Sequence, residues 1–196
     1  MISTTHSGLE FNIANPDIDT INLYDISTAL AKINRFNGHT KVPYSVAEHS
    51  VRVSYLLPKH LALAGLFHDA VQTYIGDLAS PFKTLLNEFS DIEERIEKLI
   101  AKKFNFEYSV LKSHCIKQAD LILLATEKRD LLVAGTKPWK IPKDIEPLSK
   151  RIEPWGWLNA QHRFIGRYKE LASIRHSNLH QSNTSSLENT VTSNAI

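Results

Sequence analysis

Apolar positions recur at helical spacing through most of the chain, and alternation at the period of a strand is nowhere convincing. INLYDISTALAKINRF (21–36) carries one apolar face and predicts a helix, broken by Gly38 in FNGH. YSVAEHSVRVSYLL opens on Ser45 with Glu48 three residues later, the spacing of a capping box, and Pro43 stands just upstream. On that helix His49, Val53 and Leu56 share a face, which turns His49 toward the core. The next helix is predicted from Pro58 through LALAGLFHDAVQTYI to Gly76. A short helix in SPFKTLL and an amphipathic one in DIEERIEKLIAKKF follow. SHCIKQADLILLATEKRDLLV places Asp120, Leu124, Glu127 and Leu131 on one side of another helix. GTKPWKIPKDIEP reads as a loop and PWGWLNAQHRFIGRYKELASI as a final helix. The first twenty residues have no sustained period and predict an irregular arm. HSNLHQSNTSSLENTVTSNAI is polar, low in complexity and expected to be disordered. The expected architecture is an all-α bundle, one domain over residues 1–176 with a tail at 177–196.

Composition changes this picture little. The 196 residues are 42% apolar and 22% charged, with a formal net charge of +2. Those are ordinary values for a globular domain, and no basic block suggests nucleic acid as a partner, although a small anionic substrate fits. One cysteine, Cys115, excludes an internal disulfide. No apolar run approaches the roughly 18 residues of a membrane span, and MISTTHSGLEF lacks the marks of a signal peptide. A cytoplasmic protein is expected.

Against that background LAGLFHDAVQTYIGDLASPFK (63–83) stands out, because His68 and Asp69 interrupt a strongly apolar stretch. A buried imidazole and carboxylate must each be satisfied, and an isolated pair is most simply a core histidine bonded to its neighbour. Two further residues argue for more than that. His49 occupies the inward face of the preceding helix, and Asp120 interrupts the inward face of a later one. Two imidazoles and two carboxylates from three helices suit a divalent transition metal, with positions left for water or phosphate. Zinc, manganese, cobalt and iron all accept such a set, so neither the metal nor the number of ions follows.

The segments YSVAEHS, FHDAVQTYIGDLASPFK and IKQADLILLATEKRDL together resemble the HD-domain phosphohydrolases, which are metal-dependent and all-α. More narrowly, with RFNGHT ahead of YSVAEHS, they resemble the branch of 5′-deoxynucleotidases and phage dATP triphosphohydrolases. The resemblance covers about residues 20 to 135. It implies an HD-domain helical bundle in which His49, His68, Asp69 and Asp120 hold the principal metal, each histidine oriented through its second ring nitrogen. Glu48, beside His49, is assigned to the helix cap instead.

The resemblance also implies substrate-side roles, each with a plainer alternative. Gln72 stands where the branch carries a glutamate that activates the attacking water or helps to hold an additional metal. An amide keeps the shape but takes no proton, so an inactivating Glu-to-Gln change is favoured over a natural sequence that has lost or moved its catalysis. Asp77 would help position the water, or else closes a turn. Lys83 would meet phosphate oxygens, or else is solvated. Arg35 would contact the nucleotide and Phe36 the sugar, or else they are a helix-end arginine and a packed aromatic. Pro81 would wall the base pocket. His39 is left out of the catalytic set. Glu127, Arg129 and Asp130 read as surface pairs rather than chemistry. Trp139, Trp155 and Trp157 are expected near the last helix, in packing or a subunit contact.

The function implied is hydrolysis of a deoxynucleotide, with dATP giving deoxyadenosine and triphosphate. The alternatives are a deoxynucleoside 5′-monophosphatase and a non-catalytic module that binds metal and nucleotide. Relatives in the branch form dimers or larger rings, so a homo-oligomer, dimer or hexamer, is expected.

Overall fold

The computed structural model describes residues 2–78, 83, 85–86, 88–135 and 139–192, with side chains as far as Ile174. The elements run β1 (Ile2–Thr4), β2 (Glu10–Asn12), α1 (Leu23–Lys32), α2 (Val46–Leu56), α3 (Lys59–Leu66), α4 (Gln72–Ile75), α5 (Phe89–Lys103), α6 (His114–Leu131) and α7 (Trp157–Thr192). The architecture is the expected all-α bundle, with α2 packed against α1, α3, α6 and α7. The segment SPFKTLL falls largely outside the described residues, and the tail from 177 lies where side chains are not described. Among the described residues no helix is long and apolar enough to cross a membrane.

The N-terminal arm is more ordered than its sequence suggests. β1 and β2 pair antiparallel, with Ser3 opposite Phe11. Strands of three residues are too short for alternation to register in a sequence. The hairpin is held from outside itself: Phe11 is fully buried and stacks on Tyr74 at 3.9 Å. Asp25 accepts from the Ser7 N–H and hydroxyl, each at 2.7 Å.

The first helix is shorter than the predicted 21–36. Asn22 caps it, its side chain accepting from the Asp25 N–H at 2.8 Å. The chain leaves the helix after Lys32 because residues 33–35 pair with 44–46: Arg35 N–H donates to Tyr44 O at 2.9 Å and Val46 N–H to Ile33 O at 3.0 Å. Phe36 and Asn37 then take positive φ values of 55° and 50°, an uncommon conformation for residues with a Cβ.

At the start of α2, Ser45 caps as predicted, its hydroxyl accepting from the Glu48 N–H at 3.2 Å. The reciprocal half of the capping box is absent. The Glu48 carboxylate, wholly buried, accepts from Arg52 Nε at 2.9 Å, from Arg52 Nη2 at 2.7 Å and from the Trp155 N–H at 2.7 Å. A guanidinium and a distant backbone donor outcompete the helix's own first turn. Trp155 in turn lies between Arg52 and Arg163, 4.7 and 4.4 Å from its ring, so Glu48 ties the loop before α7 to α2. Trp155 and Trp157 stand at the start of α7 and line one pocket, Trp157 beside Lys32, while Trp139 sits beside Phe36.

The predicted helix from Pro58 to Gly76 is two helices with a turn between them. α3 approaches α2 closely at Gly65, where an added Cβ would run into Leu57 Cδ1. It ends at Phe67, which is buried in an aromatic cluster: stacked on Phe104 at 4.2 Å and edge-on to Phe164 and Tyr168. From there the backbone tightens into three-residue turns, Ala70 N–H to Phe67 O, Gln72 N–H to Asp69 O and Thr73 N–H to Ala70 O. Apolar periodicity carries on through this break, so the pattern alone does not reveal it. α4 closes at Gly76, whose φ of 78° suits glycine.

Replacing Glu48 should therefore cost more than replacing its cap. Glu48→Ala strands a guanidinium and a backbone N–H and is expected to lower stability by about 3 kcal/mol, against about 1 kcal/mol for Ser45→Ala. Urea unfolding of the two variants orders them; equal losses would return Glu48 to a capping role.

Candidate metal centre

Three side chains, from α2 and the turn after α3, converge at one point, and Asp120 of α6 meets one of them. His49 is fully buried, its Nε2 3.2 Å from His68 Nε2, 3.7 Å from Asp69 Oδ2 and 3.1 Å from Asp120 Oδ1. His68 Nε2 is 3.5 Å from Asp69 Oδ2. His49, His68 and Asp69 offer donor atoms within 4.8 Å of one another and could hold a metal ion; half-buried Asp120 meets the same His49 nitrogen. Donors about 2.1 Å from a common ion lie about 3 to 3.5 Å apart, close to the 3.1 to 3.7 Å between these atoms.

The second nitrogen of each ring explains why these atoms face one another. His49 Nδ1 lies 2.7 Å from Glu127 Oε1, and His68 Nδ1 lies 2.8 Å from the Gly65 carbonyl. A carboxylate and a carbonyl only accept, so each Nδ1 carries the proton. In the neutral rings, both Nε2 lone pairs then point into the same small space between two carboxylates. That is an electron-rich focus which a cation satisfies, and the residues present fit a divalent metal on those grounds.

Electrostatics agree. Burial and the Arg35 charge oppose a proton on His49, but Glu127 and Asp120 outweigh both and hold its pKa up at about 9. Burial also works against the charge on Asp69, yet His68, His49 and Arg35 draw its pKa down. Asp120 goes down too, against its burial, through the hydrogen bond to His49. Without metal, a proton on His49 therefore takes the cation's place.

Glu127 was read from sequence as a surface residue, and the structure overturns this. It is wholly buried, and its Oε2 accepts from Arg35 Nε at 3.1 Å and Nη2 at 2.9 Å while Oε1 faces His49. The signal was its place on the face of α6 shared with Asp120; the neighbouring Arg129 and Asp130, which do pair with each other, masked it. Arg35 itself is buried and reaches Asp69 Oδ2 with Nη1 at 3.4 Å.

The remaining substrate-side residues are placed less closely. Asp77 follows α4, and burial lifts its carboxyl pKa, with Arg35 opposing and Asp69 assisting. Gln72 is buried, and its Oε1 finds no hydrogen-bond partner among the described residues. Half-buried Phe36 lies under Trp139, ring centres 5.9 Å apart, with the Arg35 guanidinium 5.3 Å from its own ring. Lys83 is paired with Glu93 at 2.5 Å, so meeting a phosphate requires it to leave that partner. Pro81 lies outside the described residues.

No family model matches the chain. It is similar to the uncharacterized protein YfdR of Escherichia coli, 35% identical over 172 residues, which are 87% of this chain and 96% of YfdR. It is also similar to proteins named 5′-deoxynucleotidase. One from Photobacterium profundum is 25% identical over 118 residues, 47% of this chain and 60% of the relative. Another, from Vibrio atlanticus, is 25% identical over 145 residues, 56% of this chain and 75% of the relative.

Because a metal and a proton compete for His49 Nε2, the apparent affinity for a divalent ion should rise about tenfold per pH unit from pH 6 and level off near pH 9. Chelator competition across that range measures it. An affinity flat from pH 6 to 9 would remove His49 from the ligand set.

Proposed function

The chain belongs to the family of Escherichia coli YfdR, and on that premise we propose that it is a metal-dependent phosphohydrolase of deoxynucleotides. The observation that carries this reading is the facing pair of imidazole Nε2 atoms between two carboxylates. An ion held there supplies positive charge to a phosphate and acidifies water. In the reaction a water oxygen bonds to the phosphorus next to the sugar. The bond from that phosphorus to the 5′ oxygen breaks, and the 5′ oxygen takes a proton and leaves as the deoxynucleoside hydroxyl.

The chain's own groups divide the remaining work. Asp77, its carboxyl pKa lifted by burial, orients the water and takes its proton. Gln72 fills the place of a glutamate and orients without accepting a proton, which limits turnover. The Nη1 edge of Arg35 beside Asp69, and Lys83 once it leaves Glu93, offset phosphate charge. Phe36 packs on the deoxyribose and disfavours a 2′-hydroxyl.

The finer reading is dATP to deoxyadenosine plus triphosphate, supported by the resemblance through RFNGHT and YSVAEHS. The relatives named 5′-deoxynucleotidase favour a second reading, a deoxynucleoside 5′-monophosphatase. Both break the same bond and differ in what the phosphorus still carries. Gln72 motivates a third, a module that binds metal and deoxynucleotide without turnover.

A screen of deoxynucleoside mono- and triphosphates with manganese, cobalt, zinc and iron separates these readings. Tripolyphosphate from dATP supports the first, and orthophosphate from monophosphates alone supports the second. Gln72→Glu is expected to raise turnover at least about tenfold, toward the 10²- to 10⁴-fold typical of a general base. Equal turnover by both forms clears Gln72 of blame, and binding without turnover in either leaves the third reading.

A further inference from the structure

Glu127 lies two turns beyond Asp120 on α6 and touches two functional groups at once. One carboxylate oxygen meets His49 Nδ1 at 2.7 Å. The other holds Arg35 by two nitrogens, Nε at 3.1 Å and Nη2 at 2.9 Å, leaving Nη1 to reach Asp69 at 3.4 Å. A path therefore runs from His49 through Glu127 and Arg35 to Asp69. Its centre is an ion pair in which Glu127 is wholly buried and the Arg35 side chain is 11% exposed.

A buried ion pair is a poor source of stability, since desolvation offsets most of the attraction and an apolar pair of similar volume often serves as well. What an apolar pair cannot do is accept a proton-bearing nitrogen on one side and fix a guanidinium on the other. We propose that Glu127 is a positioning residue for the metal centre, holding His49 with its proton on Nδ1 and Nε2 presented to the ion, and clamping Arg35 so that only Nη1 faces Asp69. This rests on the reading of His49, His68 and Asp69 as ligands. Arg35 is by the same geometry committed through two of its three nitrogens, and its reach toward a phosphate is confined to one edge.

The test compares two double variants that both remove the arginine charge. In Arg35→Met/Glu127→Gln the amide oxygen can still accept from His49 Nδ1; in Arg35→Met/Glu127→Leu nothing replaces it. Dissociation constants for Zn²⁺ and Mn²⁺ are measured by competition with a chromophoric chelator, and urea midpoints are measured on the metal-free proteins. The leucine form is expected to fold with a midpoint close to that of the glutamine form, yet to bind metal 10- to 100-fold more weakly, the usual effect of losing a group that orients a ligand. Equal metal affinity in the two doubles would overturn the proposal, as would a loss of affinity that only follows a loss of folding. His68→Ala is run alongside. If it leaves metal binding unchanged, the ligand reading itself has failed and takes the role of Glu127 with it.

Discussion

Two imidazoles that cannot turn away from one another are the constraint on which the rest of this molecule depends. Each has its Nδ1 against a group that only accepts, Glu127 for His49 and the Gly65 carbonyl for His68. The opposite nitrogens are consequently forced together at 3.2 Å. The fold reads as a set of devices for holding that arrangement. α2 is surrounded by four other helices, which bury His49 completely. Phe67, locked among Phe104, Phe164 and Tyr168, fixes the turn from which His68 and Asp69 project. The close approach at Gly65 brings that turn up to α2.

Adjacent residues on α2 show how one helix serves structure and chemistry separately. Glu48 and His49 are both fully buried, but they face different partners. Glu48 looks toward Arg52 and the chain before α7, where two donors from Arg52 and one from Trp155 saturate it. His49 looks toward α6 and the metal centre. These two acids each have their own arginine, Glu48 with Arg52 and Glu127 with Arg35, so neither competes for the other's counter-charge. Burial pushes the Glu48 carboxyl pKa up, while Arg35 and His49 draw that of Glu127 down against its burial.

Much of this was legible in the sequence, and the parts that were not share a cause. Helical periodicity gave the bundle and the inward direction of His49, and residue type gave the donors that group with it, because few other reasons place His68 and Asp69 among apolar neighbours. What periodicity cannot see is a partner distant in sequence. The break after Phe67 is set by aromatic packing from α5 and α7. The end of α1 is set by pairing with residues 44–46, and the fate of Glu48 by Trp155. Glu127 was within reach, since it shares a face with Asp120, but a charged run at the end of a helix looks like a solvated surface until Arg35 is found beneath it.

Charge balance gives the amide at position 72 a physical meaning. With both imidazoles neutral, as metal binding requires, the buried cluster contains the carboxylates of Asp69, Asp120 and Glu127 against the single guanidinium of Arg35. One divalent ion brings those groups to neutrality, and Asp77, whose carboxyl pKa burial lifts, adds a negative charge whenever it is ionised. Gln72, whose backbone N–H is bonded to the Asp69 carbonyl, adds no charge and leaves the balance undisturbed. A glutamate there would bring a further negative charge into a buried position, where an uncompensated ion is strongly disfavoured. It would have to be offset by a proton, which is what a general base takes, or by more positive charge. The same substitution thus couples two properties, the capacity to accept a proton and the number of cations the site accommodates, through one side chain's charge.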